Sequence, residues 1–306
     1  MLRLRRLGET VVIAAATVAF LITVTPARHA SLSTKMRTAP AAARLKLAAA
    51  RTSPSDLEVG VSSHVTRFLR REQLLALPQV TYTVTNDANF HGPVRISGVA
   101  LEELIRQIGI APASDLAIAI CSDNYRATYP RAYISAHHPV LVLTVNGQGP
   151  EGWPKGVVGN NVDMGPYLIS SPDFKPRFTI LSYSDEPQIP WGVVRLEFQN
   201  EAVVFGAIAP PGPQANSKEV QDGFQIAQQN CLRCHDMGRY GGTKAERPWA
   251  VLSLWATTKP DYFAAYIRNP KSKNPKSQMP GFPEYDDATV QALSAYFRTF
   301  HEAAKR

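Results

Sequence analysis

Two of the three cysteines in this 306-residue chain lie in one short stretch, NCLRCHDMG, at residues 230–238. They belong to a Cys-x-x-Cys-His pattern made of Cys231, Cys234 and His235. One helical turn takes about 3.6 residues, so this spacing places two thiols and an imidazole close together. The fold of the C-terminal part must therefore leave these three side chains close together and accessible to one shared ligand.

Four kinds of site can be compared with this pattern. Cys-x-x-Cys-His is the attachment sequence of a c-type haem, where two thiols add to vinyl groups and the imidazole faces the iron. A thioredoxin-type pair would need a βαβ setting, and none surrounds these residues. A zinc site needs four ligands, a second cysteine pair is absent from the sequence, and a disulfide would not need His235. The pattern therefore predicts one covalently bound haem c.

The composition is that of folded protein, with 44% hydrophobic and 19% charged residues, and the length suits about two domains. The formal net charge of +8 could attract nucleic acid, anionic lipid or an acidic protein. No run of five or more Lys or Arg lies outside the extreme N-terminus, and aromatic residues do not alternate with basic ones. These features argue against a nucleic-acid partner.

The N-terminus has the features of an export signal. Arg3, Arg5 and Arg6 precede an apolar stretch at residues 11–25, and small residues follow it. A spanning helix needs about 20 apolar residues, so we interpret residues 1–30 as a secretory signal, with an uncleaved membrane anchor as the alternative. Both interpretations place the folded part in the periplasm or elsewhere outside the cytoplasm. Residues 31–56, rich in Ala, Ser, Thr, Arg and Lys, are expected to form a flexible tether.

The remaining chain divides into an α+β arrangement: a β-rich mixed domain over 57–206, a Pro/Gly-rich linker over 207–216, and a small all-α domain over 217–306. Alternating or continuous apolar runs predict strands at 80–84, 116–120, 138–145, 178–184 and 191–199. Apolar residues at helical spacing predict a helix over 98–108 that ends at Gly109. The all-α part has predicted helices at 216–230, 259–269 and 286–305, the first with Ser217 as its N-cap.

A haem iron can take a second axial ligand from the residues that follow His235. Met237 is only two residues away and cannot reach the opposite face of the ring. His301 lies on the last predicted helix, where we expect it to face solvent. Met279, in the loop KSQMPGF, can approach the far face, and its polar neighbours argue against the alternative of a core methionine.

Residues 217–306 resemble a class I cytochrome c domain in DGFQIAQQNCLRCH, the helix ending in YIRNP, the loop SQMPGF and the closing aromatic helix. The resemblance implies covalent haem on Cys231 and Cys234, His235 as proximal ligand and Met279 as distal ligand. It also implies that the first and last helices cross near Gly223 and Phe224, against Tyr296 or Phe297. Such a site passes single electrons at a raised potential, and the lysines of KSKNPKS favour an acidic redox partner or form an ordinary solvated surface.

Residues 57–206 resemble the sulfite-oxidase-like molybdopterin-binding fold in GVALEELIRQIGI, DNYRATYP and VLTVNGQGP. In that family a cysteine on the strand before the helix binds molybdenum, but Asn86 and Asp87 stand there instead. Candidate cofactor contacts are His91, Arg95, Arg126 and Arg131. Cys121, the remaining cysteine, is either a metal ligand or a small buried side chain at a strand end. The missing cysteine argues against a bound molybdopterin.

Three functions fit these observations. The first is an exported cytochrome that carries electrons, with the N-terminal domain as a docking or accessory module. The second is a molybdopterin-dependent oxidoreductase of the sulfite-dehydrogenase type with its own haem, and the third is a ligand-binding or sensory module fused to a haem domain. Whether the chain is an enzyme stays open, and the missing cysteine favours the first or third function.

His137 and His138 precede Pro139, so we expect both imidazoles to be exposed to solvent.

Overall fold

The computed structural model describes residues 45–62, 65–157, 162–172 and 174–304. The predicted signal or anchor at 1–30 lies outside these residues, as does the first part of the predicted tether. Within the described residues, no helix is both long enough and apolar enough to cross a bilayer.

Two larger sheets and one two-stranded hairpin form the N-terminal part, as the predicted α+β class requires. The first has the strand order β2-β1-β11-β5-β6, with β1 and β11 parallel and the other pairs antiparallel. Its strands are β1 (Leu57–Ser62), β2 (Val65–Leu69), β5 (Leu116–Cys121), β6 (Arg126–Pro130) and β11 (Val193–Gln199). The second is antiparallel, in the order β3 (Val80–Val84), β4 (Val94–Ala100), β7 (Val140–Val145) and β8 (Leu168–Ser170).

Three short helices connect strands of this part, and a fourth follows β11: α1 (Arg71–Leu75), α2 (Leu101–Ile108), α3 (Arg131–His137) and α4 (Glu201–Gly206). The prediction for α2 is confirmed, since the helix stops at Gly109 in the left-handed conformation, with φ of 76°. The Gly109 N–H donates to the Ile105 carbonyl at 3.0 Å, which satisfies an otherwise free acceptor at the helix end.

The predicted strand at 178–184 is wrong. Residues 179–184 instead form a tight hairpin of β9 (Thr179–Ile180) and β10 (Tyr183–Ser184). Leu181 at the turn has φ of 56°, a left-handed backbone that reverses the chain. The apolar letters of FTILSYS suggested one continuous strand, and the turn carries no Gly, Pro or Asn that would have marked it.

The regular elements of the C-terminal part are all helices, and its predicted helices are confirmed. It contains α5 (Lys218–Asn230), α6 (Trp249–Thr258), α7 (Pro260–Arg268), α8 (Pro270–Lys273) and α9 (Asp287–Ala304). The Ser217 side chain caps α5 by accepting from the Val220 N–H at 3.4 Å. Helices α5 and α9 cross where Phe224 stacks on Tyr296, with ring centroids 5.7 Å apart, so Tyr296 is the aromatic of the expected crossing.

Strand β5 joins the two parts of the molecule. Ala117, Ala119 and Cys121 point into a core shared with the second sheet. Leu116, Ile118 and Ile120 point the other way, into a core shared with the helices α5, α6, α7 and α9. The six residues of β5 are all buried for this reason, and the described residues form one compact unit.

Two segments expected to be flexible are held against this unit. Leu45 and Leu47 pack on the first core, and Ala48 forms a β-bridge with Phe68, so the described part of the predicted tether over 31–56 is not flexible but packed against the folded unit. In the predicted linker over 207–216, Ile208 is fully buried and its carbonyl accepts from the Tyr296 hydroxyl at 2.6 Å. Burial of a few apolar side chains holds both segments in place. The overall composition of the segments did not reveal these contacts.

Candidate functional site

The Cys-x-x-Cys-His pattern continues the end of helix α5 by one turn. The Cys231 N–H donates to the Ala227 carbonyl at 3.0 Å, and the His235 N–H donates to the Cys231 carbonyl at 2.9 Å. Cys234 also donates its N–H to the Cys231 carbonyl, at 3.2 Å. We call residues 231–235 the attachment turn. It brings Cys231, Cys234 and His235 together as the sequence spacing predicts.

The two thiols of the attachment turn are free and half-buried. Burial raises the pKa of the Cys231 thiol to about 12 and that of the Cys234 thiol to about 11. The positive charge of Arg233 opposes the shift at both thiols, and that of Lys244 opposes it at Cys234. A thioredoxin-type nucleophile needs a lowered pKa, so this environment disfavours such chemistry. The thiols are therefore better suited to a permanent covalent bond than to thiol exchange.

The His235 imidazole is held in one orientation. It is 7% exposed, and its Nδ1 lies 2.6 Å from the Arg247 carbonyl oxygen. A carbonyl can only accept, so Nδ1 carries the proton and Nε2 keeps its lone pair for another partner. Burial lowers the pKa of His235 and keeps the ring neutral, which is the form that binds iron.

Met279 lies on the loop between α8 and α9, which packs against the same helical core as Cys231. Its N–H donates to the Ser277 hydroxyl at 3.3 Å, and Ser277 accepts from Tyr266 at 3.0 Å. Met237 also packs on this core but sits in a tight turn with Tyr240 directly after the attachment turn. His301, the third candidate, is half-exposed near the end of α9.

The donor set fits a covalently held haem. Two unpaired thiols stand on one turn with a neutral imidazole whose Nδ1 is already occupied, and a half-buried thioether lies on a loop of the same core. These are the groups that a c-type haem requires as two attachment points and two axial ligands.

The N-terminal part covers the attachment turn, a contact that sequence reasoning missed. The Arg126 N–H donates to the Arg233 carbonyl at 2.9 Å, and the Thr243 N–H donates to the Asn124 carbonyl at 3.2 Å. Lys244 pairs with Asp123 at 2.5 Å. The β5–β6 connection and the start of β6 therefore hold the chain between the two cysteines and again eight residues after His235.

Arg233, between the two cysteines, was also missed. Its side chain points toward the N-terminal part, where its Nη1 lies 3.9 Å from Glu186. Burial would lower the pKa of Arg233, but nearby Tyr125, Tyr183 and Glu186 raise it above its usual value, so the guanidinium stays charged. No sequence motif marks this residue, because its neighbours are distant in the sequence.

The candidate contacts for a molybdopterin are not brought together. His91 and Arg95 are exposed near the second sheet, whereas Arg126 and Arg131 belong to the β6–α3 region. Asp87 is 9% exposed and accepts from the Ser170 hydroxyl at 2.7 Å and from the Asn89 N–H at 2.9 Å, while Asn86 is exposed.

No thiolate therefore occupies the position of the molybdenum ligand. Cys121 is 4% exposed in the core, and burial raises its pKa well above the usual range. Among the described residues, no group of three His, Cys, Asp or Glu side chains could hold a metal ion. The residues present in this part do not fit a molybdenum cofactor.

The expectation that His137 is exposed is wrong. Its ring is 6% exposed, stacks on Phe174 with centroids 4.4 Å apart, and places Nε2 3.5 Å from Asp185. The exposed neighbour His138 takes the left-handed conformation, with φ of 45°, and ends α3. The helix turns the two adjacent side chains in different directions.

We expect His137 to make the stability of the protein pH-dependent. Burial lowers its pKa below 6.5, although Asp185 opposes the shift. Below pH 6.5 the unfolded chain therefore binds a proton that the folded chain does not. The free energy of unfolding then falls with pH by at most about 1.4 kcal/mol per unit, until the pH drops below the folded pKa.

Urea denaturation of the wild type and His137→Gln on either side of pH 6.5 measures this contribution. The stability advantage of the wild type should shrink as the pH falls, whereas His138→Gln should follow the wild-type pH profile. A wild-type advantage over His137→Gln that is constant with pH would contradict the assignment.

Known proteins match the two parts differently. Residues 218–297 match the family model described as cytochrome C oxidase, cbb3-type, subunit III. No curated protein matches the chain. Among solved structures, the chain is similar to the sulfane dehydrogenase SoxCD from Paracoccus pantotrophus, with 16% identity and a TM-score of 0.33. That similarity covers 50% of this chain and 40% of the other one, so the chain spans less than half of that protein's length.

Proposed function

We propose that this chain, whose residues 218–297 form a cytochrome c domain, is an electron carrier outside the cytoplasm. Cys231 and Cys234 would hold one haem c covalently, His235 would be its proximal ligand and Met279 its distal one. When bound, the haem supplies one-electron exchange between ferric and ferrous iron. The observation that carries the proposal is the His235 ring, neutral and oriented by the Arg247 carbonyl, beside two free thiols.

The surroundings of the site suit electron transfer more than substrate turnover. With His235 and Met279 both assigned to the iron, no axial position is left for a substrate. The N-terminal part would act as an accessory module that excludes water from the attachment turn, through Arg126, Asn124 and Glu186. Its residues do not fit molybdopterin, and this argues against the oxidoreductase alternative.

The proposed partner is an acidic redox protein. Lys271 and Lys273 of α8 and Lys276 of the following loop are exposed, and all three lie within eight residues of Met279 in the sequence. A positive surface next to the redox centre increases the association rate with a negative partner, and salt screens the effect. Electron exchange with such a partner should therefore slow as the ionic strength rises.

Replacement of the distal ligand tests the proposed function. We expect Met279→Ala to remove the weak sulfur-to-iron charge-transfer band of the oxidised holoprotein and to lower its reduction potential, because thioether ligation favours the ferrous state. Visible spectroscopy and a redox titration measure both effects.

Met237→Ala is the matched control, since Met237 packs on the same core but is assigned no ligand role. The control should keep the band and the potential of the wild type. A band that survives Met279→Ala, or one that disappears in Met237→Ala, would show that the distal ligand is assigned wrongly. Purified protein that carries no covalently bound haem would exclude the proposed function as a whole.

A further inference from the structure

Arg233 holds a positive charge inside the attachment turn. It stands between Cys231 and Cys234 and two residues before His235, so its Cα lies within about 7.6 Å of the Cα of His235. Its side chain is only 14% exposed, and its Nε and Nη2 atoms are buried. Arginine side chains usually keep the guanidinium in water, and this one does not.

The N-terminal part approaches Arg233 closely. The Arg233 carbonyl accepts from the Arg126 N–H at 2.9 Å. Gly242 lies at the same contact, where a Cβ atom would be 2.0 Å from the Arg233 carbonyl oxygen and 2.9 Å from the Asn124 carbonyl oxygen. The two parts of the molecule therefore meet at backbone distance beside Arg233, and only a residue without a side chain fits between them.

Aromatic rings and one carboxylate surround the guanidinium. Tyr125, Tyr133 and Tyr183 of the N-terminal part lie near it, and burial raises the pKa of each hydroxyl, so these rings are neutral. The Glu186 carboxylate lies 3.9 Å from Nη1, and its side chain is 41% exposed, so water weakens this ion pair. Among the described residues, no other carboxylate forms an ion pair with Arg233. The buried positive charge is therefore compensated only in part.

Other charges close to the attachment turn are balanced by opposite charges. Lys244 pairs with Asp123 at 2.5 Å. Asp236 and Arg247 act on His235 with opposite signs. The cation between the two cysteines has no such balance.

A fixed positive charge near a haem favours its reduced state. Ferric iron carries one more positive charge than ferrous iron, so a nearby cation disfavours the oxidised state. At an effective dielectric constant of about 20, two unit charges about 12 Å apart change an equilibrium constant about tenfold. Salt and water screen this effect at a protein surface, whereas a buried charge is screened much less.

We propose that Arg233 raises the reduction potential of the haem, and that the N-terminal part sets the size of this effect by burying the guanidinium and placing Glu186 beside it. Both are positioning residues that act through their charge and do not touch the iron. The inference rests on the proposed function, because it needs haem on the attachment turn. It gives the N-terminal part a role in electron transfer besides the exclusion of water.

Redox titrations of the purified holoprotein test this proposal, at pH 8 so that Glu186 is ionised although burial raises its pKa. Arg233→Gln should lower the potential by about 59 mV, a tenfold change in the equilibrium constant of a one-electron couple. Glu186→Gln removes the opposing charge and should raise the potential. A role in packing alone would admit water to the haem site in both variants and lower both potentials, so the opposite signs identify an effect of charge.

Two further variants serve as controls. Arg233→Lys keeps the charge and should lose less than half of the shift seen with Arg233→Gln. Arg239→Gln removes an exposed charge four residues after His235 and should leave the potential near that of the wild type, because water screens this charge.

An unchanged potential in Arg233→Gln, or a lowered or unchanged potential in Glu186→Gln, would overturn the proposal. Glu186→Gln decides by itself if Arg233→Gln yields no holoprotein. Covalent haem content, measured in the same samples, reports separately on the proposed function. Wild-type protein without haem would refute that function, whereas haem-loaded variants with the wild-type potential would refute only the role of Arg233.

Discussion

The double substitution Cys231→Ala with Cys234→Ala is expected to abolish covalent haem attachment completely. The two half-buried thiols of the attachment turn are free, and the third thiol of the chain, Cys121, is buried at the end of β5. No other cysteine can therefore replace them. The fraction of Soret absorbance that stays with the polypeptide on a denaturing gel measures the effect, which should fall from nearly all to none.

Cys121→Ser is the matched control for this experiment. Cys121 is 4% exposed in the core between the two sheets, where we assign it a packing role. The serine variant should keep its covalent haem and its reduction potential, although burial of a hydroxyl can lower its stability. Covalent haem in the double alanine variant, or its loss in Cys121→Ser, would contradict the assignment of Cys231 and Cys234.

The substitution Gly223→Ala is expected to lower the free energy of unfolding by about 3 kcal/mol, the upper end of the usual range for overpacking. A Cβ atom at this position would lie 2.1 Å from the Ala292 carbonyl oxygen and 2.8 Å from Tyr296 Cβ. Both contacts are far inside van der Waals distance, and one of them involves the backbone of α9. The helices α5 and α9 must therefore move apart, which disturbs the stacking of Phe224 on Tyr296.

Gly206→Ala provides the control, since a Cβ there meets no atom within 4 Å. This glycine ends α4 and is exposed, so the change should stay within about 1 kcal/mol of the wild type. Thermal or urea unfolding of the holoprotein compares both variants with the wild type. Similar stability for the two variants would show that the crossing of α5 and α9 does not require a residue without a Cβ atom at position 223.

Local patterns in the sequence predicted much of the secondary structure and the attachment turn. Ser217 begins α5, and Gly109 ends α2, because capping depends on the residue itself and its near neighbours. Cys231, Cys234 and His235 meet on one turn for the same reason, since helical spacing alone brings them together. The hairpin at Leu181 was missed because no turn residue marks it.

Contacts between distant residues decided the features that the sequence did not reveal. The exposed or buried state of His137 depends on Phe174 and Asp185, which lie far along the chain. The surroundings of Arg233 depend in the same way on Tyr125 and Glu186. Hydrophobic periodicity carries no information about such partners, because it describes only one element at a time.

Strand β5 shows which features local sequence predicts and which depend on tertiary contacts. Its apolar run predicted a strand at 116–120, and that prediction is confirmed. Only the tertiary structure shows that Ala117 and Ala119 face the sheets whereas Ile118 and Ile120 face the cytochrome helices. The sequence by itself determined the residue types and their alternation along β5. The fold decided which core covers each face, because burial depends on what packs there and not on the strand alone.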